Sequence, residues 1–455
     1  MNAQSTKKKS LSLAILLIIS MVLSLLNFDF SDASLGSKDV KIKSKAAIVI
    51  DFNTGAILYE KNAHKKIYPA STTKILTAIV AIENSGMDDI ITVSENALEG
   101  QKNNGTHVGL KAGEKLTMKD ALYSMMLESA NDSAIAIAEA IGGTEEGFAK
   151  ILNDKVKDLG LEDTHFVTPN GLFDKEHYTT PYDMAKIIEY AYKNEDFKKL
   201  YSTNKYVMSK TNKRSQPLDI YTTHRMSPGK SKYYKYAVAG KTGYVEESKC
   251  NLSTVAEKNG MTLIAYVATN SSPYDICDDT KVLFEKCFKD YKNTVISKDG
   301  RDNSIKNLIE KGDYQIRNSK STDEEITITL PQNVSTDDVK LKLKNENKSF
   351  PIEKGDQTGV INAYYNDEVV GSTTLTASKD MTAIVFYLML ALKFALYAIA
   401  ILTVLLIIFL IYKKTKKNKK RATKGYSAYT VDHKDRSTSH PSQTSDKRNK
   451  NLHRK

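Results

Sequence analysis

Pro69-Ala70-Ser71-Thr72-Thr73-Lys74 sets a serine hydroxyl and a lysine amine at positions i and i+3. On a helix those two side chains share one face, so the amine can sit beside the hydroxyl. With Ser71 opening the helix behind Pro69, the helix N-terminus adds positive potential and free N–H groups at the nucleophile. A serine hydroxyl is inert at neutral pH until a base takes its proton. Lysine serves as that base where burial or a nearby cation leaves its amine neutral. A single S-x-x-K match is common on solvated helices, but two further motifs follow it. Ser129-Ala130-Asn131 lies between two helical runs, where alternate side chains of a short loop point the same way. Lys241-Thr242-Gly243 sits on a strand-like segment, with Gly243 letting the backbone approach a ligand. Each alone reads equally as a turn or a helix cap. Together and in this order, they point to chemistry at a serine nucleophile.

The elements that must position these groups alternate between helix and strand from Lys45 to about Lys289. Ala46–Asp51 and Ala56–Tyr59 flank an Asn53-Thr54-Gly55 turn and read as an opening hairpin. Ile75–Ile82, Ala121–Leu127 and Ala134–Ile141 carry apolar residues at helical spacing. Tyr236–Ala239, Leu252–Ala256 and Leu263–Ala268 read as strands, the last two joined by a Lys258-Asn259-Gly260 turn, and Asp279–Tyr291 returns to helix. Helices enclosed by terminal strands predict an α+β fold, an antiparallel sheet flanked by helices. From Thr294 to Ser378 short strands and turns predict a second, smaller, all-β unit, with strands at Ile326–Leu330, Val339–Leu343, Val360–Tyr365 and Glu368–Leu375.

The formal charge of +12 resembles a nucleic-acid signal until it is located. Between Lys413 and Lys455 there are 15 Lys/Arg against 3 Asp, and the other 412 residues balance 51 basic against 51 acidic side chains. The basicity belongs to a tail, and nucleic-acid binding is set aside. The 3 cysteines, Cys250, Cys277 and Cys287, show no C-x-x-C spacing, and the 8 histidines form no zinc-ligand pattern, so no metal is expected. Cys277 and Cys287 on one helix cannot reach each other.

Lys7, Lys8 and Lys9 precede an apolar run from Leu11 to Leu26 and then Ser31-Asp32-Ala33, the order of a secretory signal peptide. Phe394 to Tyr412 is 19 residues without a charge, which as a helix reaches about 28 Å and crosses the hydrocarbon core. Seven Lys/Arg from Lys413 to Arg421 follow it and mark the cytoplasmic side, near anionic lipid. Lys393 reads as an interfacial anchor. The expected organisation is a signal peptide at 1–33, a catalytic domain at 34–289 and a β-rich domain at 294–378. A transmembrane segment at 381–412 (core 394–412) and a basic cytoplasmic tail at 413–455 follow.

The chain resembles the low-molecular-weight penicillin-binding proteins that are serine-type D-alanyl-D-alanine carboxypeptidases. Beyond the three motifs, the likeness extends to Ala46–Lys61, Gly109–Asp132, His165–Leu172 and His177–Ala185, and Pro351–Leu375 looks like that family's C-terminal domain. It covers the chain from about Lys45 to Ser378. The resemblance implies a β-lactamase/DD-peptidase-like fold and attack by Ser71 on the bond between two D-alanines of a peptidoglycan stem peptide. Lys74 takes the serine proton, Ser129 relays one to the leaving amine and Asn131 binds the substrate amide. Lys241 and Thr242 meet the terminal carboxylate, and the N–H groups of Ser71 and Tyr244 form the oxyanion hole. β-Lactams stall the acyl-enzyme, and no cofactor is required. Two positions depart from the family pattern. Ser248-Lys249-Cys250 stands where a glycine is frequent, and Thr222–Met226 lacks an asparagine, which leaves His224 and Arg225 without an assigned role.

Three rivals share the nucleophile. A class A β-lactamase needs a Glu-x-x-x-Asn pattern between the second and third motifs, and none occurs. A DD-transpeptidase differs only in using an amine instead of water as acceptor. A β-lactam sensor acylates without turnover, but such sensors carry several spans and an H-E-x-x-H protease, which this chain lacks. The β-domain is expected to serve as a stalk or spacer, or to offer its edge strands to a partner.

Overall fold

A computed structural model describes residues 40–102, 105–296, 303–322, 326–346 and 349–431. The expected signal peptide and the tail beyond Val431 lie outside the described residues. The chain divides into two compact units, one reaching Lys379 without 349–353, the other joining Ser349–Glu353 to the chain from Asp380 onward.

In the first unit a five-stranded antiparallel sheet runs in the order Ile57–Lys61, Ala46–Asp51, Met261–Asn270, Lys249–Lys258, Ala237–Val245. The opening hairpin and the three late strands thus form one sheet, as the sequence predicts. Strand side chains alternate between faces, and here both faces are covered. Ile264, Tyr266 and Ala268 join the core of the helical bundle, whereas Leu263, Ala265 and Val267 pack with Ile276, Leu283 and Phe284 of the helix Asp275–Asp290. That double burial is why the strand reads as an unbroken apolar run rather than an alternating one. The helix begins four residues before the predicted Asp279, because the Ser272 hydroxyl accepts the N–H groups of Tyr274 and Asp275 at 3.3 and 3.1 Å.

The helix Lys74–Asn84 runs through the bundle, with every residue from Lys74 to Ala81 buried. Around it lie Met118–Leu127, Asn131–Gly142, Glu145–Asp158 and Pro181–Tyr192. Thr117, Thr144 and Thr180 cap three of these by accepting an N–H of the first turn, and Pro181 adds a pre-set φ at its helix start.

A β-rich part follows at once. Tyr291–Val295 pairs with Thr327–Pro331, and a four-stranded sheet has the order Ser319–Ser321, Glu368–Ala377, Gln357–Tyr365, Lys340–Asn345. Two short helices, Asn303–Lys311 and Tyr314–Arg317, which the sequence reading did not single out, accompany the strands, and Ile316 of the second packs on Ile361 and Leu375. The two parts meet at a buried contact between the Thr54 and Thr329 hydroxyls, 2.6 Å apart.

The second unit is dominated by the 49-residue helix Ala383–Val431. Its stretch Leu390–Lys414 is long and apolar enough to cross a membrane. The helix continues through both Lys393 and the basic cluster after Tyr412, so the end of the apolar segment is a change of side chain and not of backbone.

Candidate active site

Ser71 does not open the α-helix as predicted. It lies in a one-turn 3-10 helix, Ala70–Thr73, and the α-helix starts at Lys74. The tighter winding keeps the pair together, because side chains at i and i+3 of a 3-10 turn eclipse one another. Ala70 enters this turn at φ +53° and Ser129 holds φ +61° in the loop between two helices, both in the left-handed region that non-glycine residues rarely occupy. Backbone strain thus sits on either side of the serine hydroxyls.

Lys74 is fully buried, and its Nζ lies 3.1 Å from Ser71 Oγ, 2.8 Å from Asn131 Oδ1 and 2.7 Å from the Asn170 carbonyl. A neutral amine has two N–H donors and one lone pair. Two carbonyl oxygens, which only accept, take both donors. The lone pair is then left for Ser71, whose O–H donates to it. Burial first, and then the Lys241 charge, hold the Lys74 amine well below the usual lysine range, against a smaller opposing pull from Asp132. The three-way contact therefore suits a lysine that accepts a proton from a serine.

Lys241, also buried, donates to Ser129 Oγ at 2.8 Å, and burial brings its ammonium down to about 7. Thr242 touches the Thr223 hydroxyl at 3.1 Å. Gly243 stands against the Ser71 turn, where an added Cβ would come within 2.8 Å of the Pro69 carbonyl. A side chain there would push the third motif away from the first. Ser71, Ser129, Asn131, Thr242, Gly243 and Tyr244 all line one cavity of about 530 Å³. All eight residues singled out in the sequence thus converge on one place: six line the cavity, and Lys74 and Lys241 lie beneath Ser71 and Ser129.

Several supporting groups were not foreseen. Asn251 donates from Nδ2 to the Tyr68 and Pro69 carbonyls at 2.8 and 3.2 Å and so ties the segment entering Ser71 to the sheet. His177 accepts two backbone N–H groups at Nδ1, from Val167 and Thr168, which leaves Nε2 protonated to donate to the Thr73 hydroxyl at 2.8 Å. It thereby clamps the loop whose Asn170 carbonyl holds Lys74, and burial lowers its imidazole to about 3. Gly171, next in that loop, has φ +83°, and a Cβ there would lie 1.9 Å from the Ala70 carbonyl. Thr223 and Arg225 line the cavity, whereas His224 is buried between Ser227 and Thr254, each 3.1 Å from a ring nitrogen. The segment lacking the expected asparagine therefore divides between wall and core.

The fold and the paired serine–lysine geometry fit an enzyme that transfers acyl groups through a serine. Residues 33–272 match the D-alanyl-D-alanine carboxypeptidase family, and residues 302–383 match the C-terminal domain of penicillin-binding protein 5. The chain is 31% identical over 378 residues to the D-alanyl-D-alanine carboxypeptidase DacF of Bacillus subtilis, covering 80% of this chain and 94% of that relative. It is 31% identical to a D-alanyl-D-alanine carboxypeptidase of Streptomyces strain K15, over 50% of this chain and 82% of the relative. Among solved structures, penicillin-binding protein 5 of Haemophilus influenzae shares the fold, with a TM-score of 0.59 at 22% identity, over 76% of this chain and 99% of that one. A Streptomyces K15 DD-transpeptidase superposes at a TM-score of 0.52 and 28% identity, over 55% of this chain and 99% of its own. The chain belongs to the D-alanyl-D-alanine carboxypeptidase family.

Proposed function

We propose that the protein removes the terminal D-alanine of peptidoglycan stem pentapeptides from outside the membrane, through an acyl-enzyme on Ser71. The observation that carries this reading is the buried Lys74 Nζ, at 3.1 Å from the Ser71 hydroxyl and at 2.8 and 2.7 Å from the Asn131 and Asn170 carbonyl oxygens. Ser71 Oγ attacks the carbonyl between the two D-alanines while Lys74 Nζ takes its proton. The N–H groups of Ser71 and Tyr244 receive the oxyanion, each such donor being worth about 10²–10³ in rate. As the C–N bond breaks, Ser129 passes a proton to the departing amine and draws on Lys241, 2.8 Å away. Lys241 and Thr242 bind the terminal carboxylate of the substrate, and Asn131 contributes to its amide beside its contact with Lys74. The proton Lys74 took then replaces the one Lys241 gave, so Lys74 is neutral again; water attacks the ester while Lys74 takes its proton, and Lys74 returns that proton to Ser71 Oγ as the C–O bond breaks. A β-lactam acylates Ser71 in the same way and leaves slowly.

The apolar stretch Leu390–Lys414 followed by clustered lysines supports a single membrane span with the tail in the cytoplasm and the catalytic domain outside. Mass spectrometry of the detergent-solubilised full chain after benzylpenicillin treatment tests the mechanism. One penicilloyl adduct on the peptide containing Ser71 is expected, and an adduct elsewhere, or none, contradicts it. Adding glycine as an amine acceptor separates hydrolysis from transpeptidation, since transfer would yield a glycine-capped peptide.

A further inference from the structure

Next to the active site lies a second concavity, of about 330 Å³. Lys45 at the head of the first strand, Lys65 and Lys66 in the loop leading to Ser71, and Lys175 in the loop after Gly171 line it, between the rings of Tyr68 and Tyr178. Glu247 is the one carboxylate in the lining. The two concavities adjoin where Asn251 of one lining meets Tyr68 of the other. Tyr68 stacks edge-on against Phe173 at 4.9 Å, and its carbonyl is held by Asn251, which lines the active-site cavity.

Among the described residues some surface lysines are ion-paired, and three of the four in this lining are not. Lys43, Lys155, Lys186, Lys205 and Lys232 each hold a carboxylate at 2.6–2.9 Å. Lys45, Lys65 and Lys175 have no carboxylate within 4.0 Å among the described residues. Lys66 has only Asp163, at 3.8 Å, and lies 4.1 Å above the Tyr178 ring. Four exposed ammonium groups brought by three segments line the concavity with one carboxylate, Glu247, and their like charges repel one another. An anionic ligand relieves that repulsion, and the aromatic walls suit the apolar parts of a peptide.

We propose that this cleft is a subsite for carboxylates of the peptidoglycan stem peptides, beyond the terminal D-alanines; it rests on the reading of Ser71 given above. The adjacency of the two concavities through Tyr68 and Asn251 favours the substrate polymer over an unrelated anion.

The test is co-sedimentation of the full-length Ser71→Ala protein, in detergent, with insoluble peptidoglycan freed of phosphodiester polymers by hydrofluoric acid. A Lys65→Gln/Lys175→Gln pair added to that background should bind about five- to tenfold more weakly at low salt, the difference shrinking as salt rises. Peptidoglycan with its carboxylates amidated should bind both proteins alike, and no more tightly than the double variant binds the free form. Matching melting temperatures establish that the variants fold alike. Equal binding by the two proteins, indifference to amidation, or lysine-dependent binding only to material that retains its phosphodiesters would each overturn the proposal. None of these readouts requires turnover, so a failure of Ser71 to react with penicillin would count against the enzymatic reading separately.

Discussion

Lys74 and Lys241 beneath the active site, and Lys45, Lys65 and Lys175 in the neighbouring cleft, are the same side chain in two media. The first pair is fully buried, and desolvation strips the ammonium form of its advantage in both, which suits the roles of base and acid proposed for them. The cleft lysines lie exposed to solvent. Chemistry here comes from the medium, and the residue type alone decides little. The buried pair also works as a unit, since the Lys241 charge is one of the causes that depress Lys74.

Removing the base should have the largest effect. Lys74→Ala is expected to slow penicillin acylation by about 10²–10⁴, read by stopped-flow quenching, and a loss under tenfold would mean that another group deprotonates Ser71. Asn131→Asp should come next. A carboxylate at 2.8 Å from Nζ favours the ammonium form, so the Lys74 pKa rises and the acid limb of the acylation profile moves to higher pH. Each unit of rise is a tenfold loss of rate on the acid limb itself, and an unmoved limb would break the argument from donor count.

Lys241→Arg addresses the other member of the pair. In the wild type, kcat/KM should fall on the alkaline side as Lys241, at about 7, loses its proton. Arginine stays protonated throughout, so that limb should vanish while the acid limb remains. His177→Ala probes a buried group that is neutral over the whole working range, its imidazole lying at about 3. Leaving the Val167 and Thr168 N–H groups unpaired should cost about 1–3 kcal/mol of unfolding free energy in denaturant titrations. Because His177 does not titrate near neutrality, neither limb of the pH profile should move.

Much of this was legible in the sequence for a physical reason. The three motifs are local, and spacing within one turn or one strand already dictates which side chains can meet. The strands of the main sheet were legible as apolar runs because both faces are buried. The supporting groups were not. Asn170 acts through its backbone carbonyl, which leaves no mark on residue type. His177 reaches Thr73 across 104 positions, and Asn251 reaches Pro69 across 182, so only the folded chain relates them. The left-handed φ of Ala70 and Ser129 was equally hidden, since neither is a residue that advertises such a conformation. In the β-rich part, Asn303–Lys311 was overlooked although Ile305, Leu308 and Ile309 stand at helical spacing, because nine residues among strands are short for a helix signal.

The most direct measurement is D-alanine release from a D-Ala-D-Ala pentapeptide by the full chain in detergent micelles, beside its Ser71→Ala variant. The account predicts release by the wild type, its abolition in the variant, and its abolition by prior exposure to benzylpenicillin. Release that persists in Ser71→Ala would contradict it.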